Sequence, residues 1–119
     1  YIHAEGYPAG EMKHGPLALI EDGMPVVVIA PRDYYYNKTI SNMQEVIARG
    51  AKVLLITNKS KDEIFSENIW QKIEVENTDD DLLPFLITIP LQKLAYHSAL
   101  KKGYDIDKPR NLAKSVTVE

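Results

Sequence analysis

Two continuous apolar runs place the strongest limit on how this chain can fold. Residues 25–31 form a β-branched run between two prolines, and residues 52–57 form a second run shortly after Gly50. Neither run alternates between apolar and polar positions, so each predicts a strand buried on both faces, as in a parallel sheet. The chain is therefore expected to form an α/β fold.

The segment between the two runs has the pattern of an amphipathic helix. Within residues 34–49, apolar side chains recur at spacings of three and four. They are Ile40, Met43, Val46 and Ile47. Gly50 stands where a glycine commonly follows a helix. Strand, helix and strand of this size predict a βαβ unit with a right-handed crossover.

The remaining elements are shorter or less regular. Residues 72–76 predict a third, short strand, and residues 82–102 predict a long helix that Pro90 should kink or divide in two. Residues 104–119 lose periodicity and predict an extended tail. Three strands are few for a doubly wound sheet, so we expect an incomplete α/β domain.

Composition excludes several classes of protein. A chain of 119 residues suits one domain. Its 14 basic and 17 acidic residues give a mildly acidic balance, so no nucleic-acid partner is expected. The absence of cysteine excludes a thiolate site and fits a reducing, cytoplasmic compartment. No apolar run reaches the roughly 18 residues that span a bilayer, so no membrane partner is expected. The chain begins at Tyr1, and we expect a longer parent chain.

Histidines are the first candidates for catalytic or metal-binding residues. His14 lies in the Gly- and Pro-rich residues 1–22, which predict a loop with a short helix at 17–20. Its neighbours Glu11 and Lys13 suit proton transfer, but from the residues alone a surface loop histidine is the favoured interpretation. His97, in the long helix, predicts a partly buried structural histidine. The histidines are far apart, so we assign no metal and no cofactor.

Two long motifs are more specific. Residues 5–20, EGYPAGEMKHGPLALI, and residues 107–119, DKPRNLAKSVTVE, closely resemble signatures of the glutamine–fructose-6-phosphate aminotransferases, also called glucosamine-6-phosphate synthases. Residues 89–97, IPLQKLAYH, fit the same family. The resemblance covers the whole chain. It implies that residues 1–119 are the C-terminal portion of the second of two sugar isomerase (SIS) domains, with 104–119 as an extended C-terminal tail.

The resemblance also implies a fold and an activity. The fold is a three-layer, flavodoxin-like α/β domain with a parallel sheet, truncated at its N-terminal side. The family converts fructose 6-phosphate and glutamine into glucosamine 6-phosphate and glutamate, for amino-sugar biosynthesis. Lys114 would form a Schiff base with the open-chain ketose, and Ala113 would contact the sugar through its backbone. His14 would assist ring opening, reaching the site of the neighbouring subunit. From the residues alone, Lys114 is one basic tail residue among others.

Partners follow from the same resemblance. The family implies an upstream SIS domain and a glutaminase domain that residues 1–119 do not contain. An incomplete sheet should also leave an unpaired strand edge and apolar helix faces, so we expect a homodimer. We therefore expect the chain alone to lack synthase activity. Two alternatives stay open: a non-catalytic SIS-type module that binds phosphosugars, and another SIS-type sugar isomerase or deaminase. The lysine-bearing residues 111–119 favour the aminotransferase over both.

Overall fold

The sheet is the centre of the fold. The computed structural model describes residues 1–60 and 69–108. Within them, strands β1 (Pro25–Ile29), β2 (Lys52–Asn58) and β3 (Gln71–Val75) form one sheet in the order β1-β2-β3. Both pairings are parallel. The predicted α/β fold with a parallel sheet of about three strands is confirmed.

Among the described residues, four helical segments accompany the sheet. Helix α1 (Tyr36–Ile47) joins β1 to β2, and helix α2 (Leu83–Lys101) follows β3. Two short 3₁₀ helices, Ala9–His14 and Pro16–Leu19, precede β1. The second agrees with the short helix expected there, whereas the first replaces part of the predicted loop. Most of the predicted tail, residues 109–119, lies outside the described residues.

The central strand, β2, is buried from both sides. Val53 and Leu55 belong to the core on the α1 side of the sheet, whereas Leu54 and Ile56 belong to the core on the α2 side. Successive side chains of a strand point to opposite faces, so α1 and α2 lie on opposite faces of the sheet. The described part of the chain is therefore layered as helix, sheet and helix.

Strand β1 departs from the prediction of burial on both faces. Val26 and Val28 pack against the core on the α1 side. On the other face, Val27 and Ile29 are 40% and 43% exposed. The physical reason is that α2 packs mainly against β2 and β3 and leaves that face of β1 uncovered.

Helix α1 agrees with its predicted pattern. Met43 and Val46 are buried, and Ile40 and Ile47 pack against the same core on one face of the sheet. The helix begins at Tyr36, whose ring is buried at this end. The amphipathic stripe therefore identified both the helix and the face that it buries.

Helix α2 runs without interruption through Pro90. Of the two outcomes expected there, a kink or a division into two helices, the division is wrong. A proline removes one backbone donor, and the turns on either side keep their own hydrogen bonds. The helix is apolar on more than one face, because Leu83 and Ile87 are buried while Phe85 and Ile89 are exposed. Although α2 has 19 residues, none of the described helices is both long and apolar enough to cross a membrane.

A tight turn after α1 holds the residues that precede β1 in place. Gly50 has φ +89°, in the left-handed region that favours glycine. Its carbonyl oxygen accepts a hydrogen bond of 2.8 Å from the backbone N–H of Gly23. A Cβ at Gly50 would lie 2.9 Å from the Cα of Asp22, closer than such atoms approach one another.

Replacing Gly50 by alanine is therefore expected to destabilise the fold. Left-handed strain together with the collision at Asp22 should lower the free energy of unfolding by about 1–3 kcal/mol, measured by urea denaturation. Gly6→Ala is the matched control, because nothing lies within 4 Å of a Cβ at that position. Equal stability of the two variants would contradict the role given to this turn.

Candidate functional site

His14 is presented by a segment anchored on the α1 side of the sheet. Two positions before it, Met12 packs against the hydrophobic core, and three positions after it Leu17 is buried. Lys13 Nζ lies 2.7 Å from Glu45 Oε1 of α1 and forms an ion pair with it. These anchors hold the backbone, while the His14 side chain remains exposed. Its imidazole is therefore accessible to a ligand or to a neighbouring subunit.

The chain turns sharply directly after His14. Gly15 has φ +142° and separates the two 3₁₀ helices, and Pro16 begins the second one. The fixed φ of proline suits the first position of a helix. His14 is thus the last residue of the first short helix and directly precedes the turn.

A second cluster lies earlier in the same segment and was missed at the level of sequence. Glu5 accepts a hydrogen bond from the Tyr7 hydroxyl through Oε2, and its Oε1 lies 3.0 Å from His3 Nε2. The three residues are spaced by two, which places them on one side of an extended chain. The spacing of two is the sequence pattern that could have indicated this cluster. The glycines and prolines around it favour a loop, in which such a spacing does not predict contact.

The contacts within the Glu5 cluster shift the pKa values of Glu5 and Tyr7 in opposite directions. The hydrogen bond from Tyr7, followed by the one with His3, lowers the pKa of the Glu5 carboxyl. The same carboxylate raises the pKa of the Tyr7 phenol. The cluster thus keeps an ionised acceptor beside a protonated donor over a wider pH range. All three side chains are exposed, so the effect orients them and adds little stability.

The end of α2 and the residues after it, which lead toward Lys114, contact the first residue of the segment that carries His14. The rings of Tyr1 and Tyr104 meet edge to face, with centroids 4.6 Å apart. Lys102 Nζ donates a 3.3 Å hydrogen bond to the backbone oxygen of Tyr1. Lys114 and Ala113 themselves lie outside the described residues, and their proposed contacts with sugar stay predictions.

The carboxyl edge of the sheet holds a separate polar network. Asn58 Oδ1 accepts a 2.7 Å hydrogen bond from the Arg32 backbone N–H, and Asn58 Nδ2 donates a 2.7 Å bond to Asn77 Oδ1. Arg32 Nε donates to the Asn58 carbonyl oxygen at 3.2 Å, and its guanidinium lies 4.8 Å from the centre of the Tyr36 ring. Ligands often bind at this edge of open α/β sheets. Here these groups bind one another and tie the strand ends together.

His97 does not have the partly buried position predicted for it. It is exposed, and its ring meets that of Tyr96 edge to face, with centroids 5.2 Å apart. Packing of α2 against the sheet reaches only as far as Leu91, and His97 lies more than one helical turn beyond. Within residues 1–60 and 69–108, no three His, Asp or Glu side chains gather as a metal site would require.

Layered α/β structure and a family comparison agree on the class of this protein. The model of the SIS domain family matches residues 1–102. The chain therefore belongs to the SIS domain family.

Relatives with similar sequences identify one kind of protein within this family. Over all 119 residues the chain is 54% identical to a glutamine–fructose-6-phosphate aminotransferase (isomerizing) of Rhizobium meliloti and 56% identical to that of Brucella abortus. It spans 20% of the length of each relative. These matches confirm the resemblance seen in the two end motifs.

A solved structure is similar to this chain in both sequence and fold. The chain is 48% identical, with a TM-score of 0.84, to the C-terminal domain of glucosamine-fructose-6-phosphate aminotransferase from Francisella tularensis. The match covers 91% of this chain and 30% of that one. The fold seen here is thus part of a larger domain in that relative.

The Glu5 cluster yields a test by titration. In Glu5→Gln the negatively charged acceptor is lost, so the pKa of Tyr7 should fall toward its ordinary value. The measurement is an NMR pH titration of the tyrosine ring carbons. Glu11→Gln, a carboxylate outside the cluster, should leave the Tyr7 titration unchanged. A Tyr7 curve that is the same in Glu5→Gln and in the unmodified chain would show that the hydrogen bond does not form in solution.

Proposed function

We propose that this chain is the C-terminal part of the isomerase region of an enzyme that makes glucosamine 6-phosphate and glutamate from fructose 6-phosphate and glutamine. The observation that carries the proposal is identity of 54–56% over the entire chain with relatives bearing that aminotransferase name. The similarity includes both end motifs, where the candidate residues lie. Phosphosugar is accordingly the proposed substrate class.

Lys114 is the proposed nucleophile. Its amine nitrogen attacks the C2 carbonyl of the open-chain ketose, and water leaves as the imine forms. Ammonia released from glutamine then replaces the lysine amine at C2, which frees Lys114, and a proton moves from C1 to C2 to give the amino aldose. Only a neutral amine can attack, and an unperturbed lysine at about pH 7.4 is only about 0.1% neutral. The amine must therefore be shielded from water, or lie near other cations, when it attacks. Ala113 would contact the sugar through its backbone.

His14 is the proposed acid and base for ring opening. That step takes a proton from the anomeric hydroxyl and returns one to the ring oxygen, so a single imidazole serves both transfers. The exposed imidazole on an anchored backbone supports this role, because its own chain leaves the group accessible. A homodimer, in which His14 reaches the neighbouring site, is part of the proposal, as are upstream SIS and glutaminase domains and a cytoplasmic location.

Borohydride trapping tests the lysine. With fructose 6-phosphate, the full-length gene product should gain one reduced sugar adduct on Lys114, located by intact mass and peptide mapping. Lys114→Arg keeps the positive charge but cannot form the imine, so the adduct should disappear. Lys108→Arg is the matched control and should keep it. An adduct that persists in Lys114→Arg would remove this residue from the mechanism.

The histidine is tested by rate. In the full-length gene product, His14→Gln should lower glucosamine 6-phosphate formation by about 10²–10⁴-fold, the usual contribution of a general acid or base. Glutamine hydrolysis should change little, since it takes place in another domain. His97→Gln, an exposed histidine on α2, is the control and should keep full synthesis. Normal synthesis by His14→Gln would refute its role.

A further inference from the structure

The last turn of the first 3₁₀ helix consists of Met12, Lys13 and His14. A 3₁₀ helix has three residues per turn, so these three side chains lie on three different sides of its axis. Met12 packs against the hydrophobic core, and Lys13 forms an ion pair with Glu45 of α1. Two sides of the turn are therefore attached to the rest of the domain, and His14 occupies the third side, which is exposed.

Met12 alone would hold this short helix weakly against rotation about its axis. Methionine is flexible, with three rotatable side-chain bonds. Directly after His14 the chain passes through Gly15, and glycine is the residue type with the greatest conformational freedom. Lys13 Nζ, on the residue directly before the histidine, lies 2.7 Å from Glu45 Oε1. This ion pair is a second attachment on a different side of the helix, and it opposes rotation of the turn that carries the imidazole.

The same ion pair contributes little to the stability of the fold. The side chains of Lys13 and Glu45 are 51% and 34% exposed, and ion pairs in contact with solvent are weak. Catalysis is far more sensitive to position than stability is, since a misplacement of about 1 Å can lower a rate by about 10²-fold. Loss of the pair should therefore affect the rate of a reaction that uses His14 more than it affects folding.

We propose that Glu45 is a positioning residue for sugar ring opening. Through its ion pair with Lys13 it fixes the direction in which the His14 imidazole is presented to the sugar. The Glu45 carboxylate neither contacts the substrate nor transfers a proton, and it acts on the reaction only through the turn that carries the histidine. This inference rests on the ring-opening role proposed above for His14.

Steady-state kinetics of the full-length gene product test the role. Glu45→Gln removes the charge at constant size and should lower kcat for glucosamine 6-phosphate formation about tenfold, with little change in the KM for fructose 6-phosphate. Lys13→Arg keeps the pairing and should keep most of the rate. Glu74→Gln is the matched control, because it removes an ion pair of similar exposure with Lys72 on β3, and it should keep full synthesis.

A background without the histidine separates positioning from any other role of Glu45. When His14→Gln is already present, adding Glu45→Gln should lower the rate no further, because no imidazole remains to be positioned. A residue that supports the site independently of His14 would lower the rate by the same factor in both backgrounds. Equal losses in the two backgrounds would overturn the inference.

Three further outcomes would also overturn it. Normal kcat in Glu45→Gln beside a slow His14→Gln would refute the positioning role and leave the ring-opening role intact. Normal synthesis by His14→Gln would refute the ring-opening role and the positioning role together. A urea midpoint clearly lower in Glu45→Gln than in Glu74→Gln would assign the lost rate to folding.

Discussion

Parallel pairing of β2 with a strand on each side is the constraint on which the rest of the structure depends. Val53 and Ile56 have no exposed surface, and they point to opposite faces of the sheet. Each face must then be covered by a separate helix, which fixes the side on which α1 and α2 lie. The segment with His14 packs on the α1 side, whereas α2 packs on the other face. The sheet thus separates the candidate catalytic segment from α2.

Much of this arrangement could be predicted from the sequence, because buried strands and helix faces require apolar residues at characteristic spacings. The continuous runs predicted β1 and β2, and the stripe through Met43 and Val46 predicted α1. The exposure of Val27 and Ile29 could not be predicted, since an apolar strand has the same sequence whether or not a helix covers it. The continuity of α2 at Pro90 depends on its neighbouring turns and on packing, which a local rule for proline does not include.

The candidate site was less accessible to sequence reasoning. Lys114 and His14 were distinguished only by their similarity to a family, because the reactivity of an amine or imidazole depends on surroundings that composition does not record. The Glu5–Tyr7 hydrogen bond had a local signal in its spacing of two. That signal is weak without a sheet to confirm an extended chain. His97 was misplaced because apolar neighbours along a helix do not show where the packing of that helix ends.

The contact between Tyr1 and Tyr104 has a consequence for how the two ends of the described chain move. It joins two positions about one hundred residues apart in the chain, and the folded sheet and helices between them already bring these positions together. The two rings and the hydrogen bond from Lys102 to Tyr1 therefore form without the entropy cost of closing a flexible loop. Fraying at one of these positions releases the other, so amide exchange near residues 1 and 104 should share one opening equilibrium. The segment before His14 is thereby coupled to the end of α2.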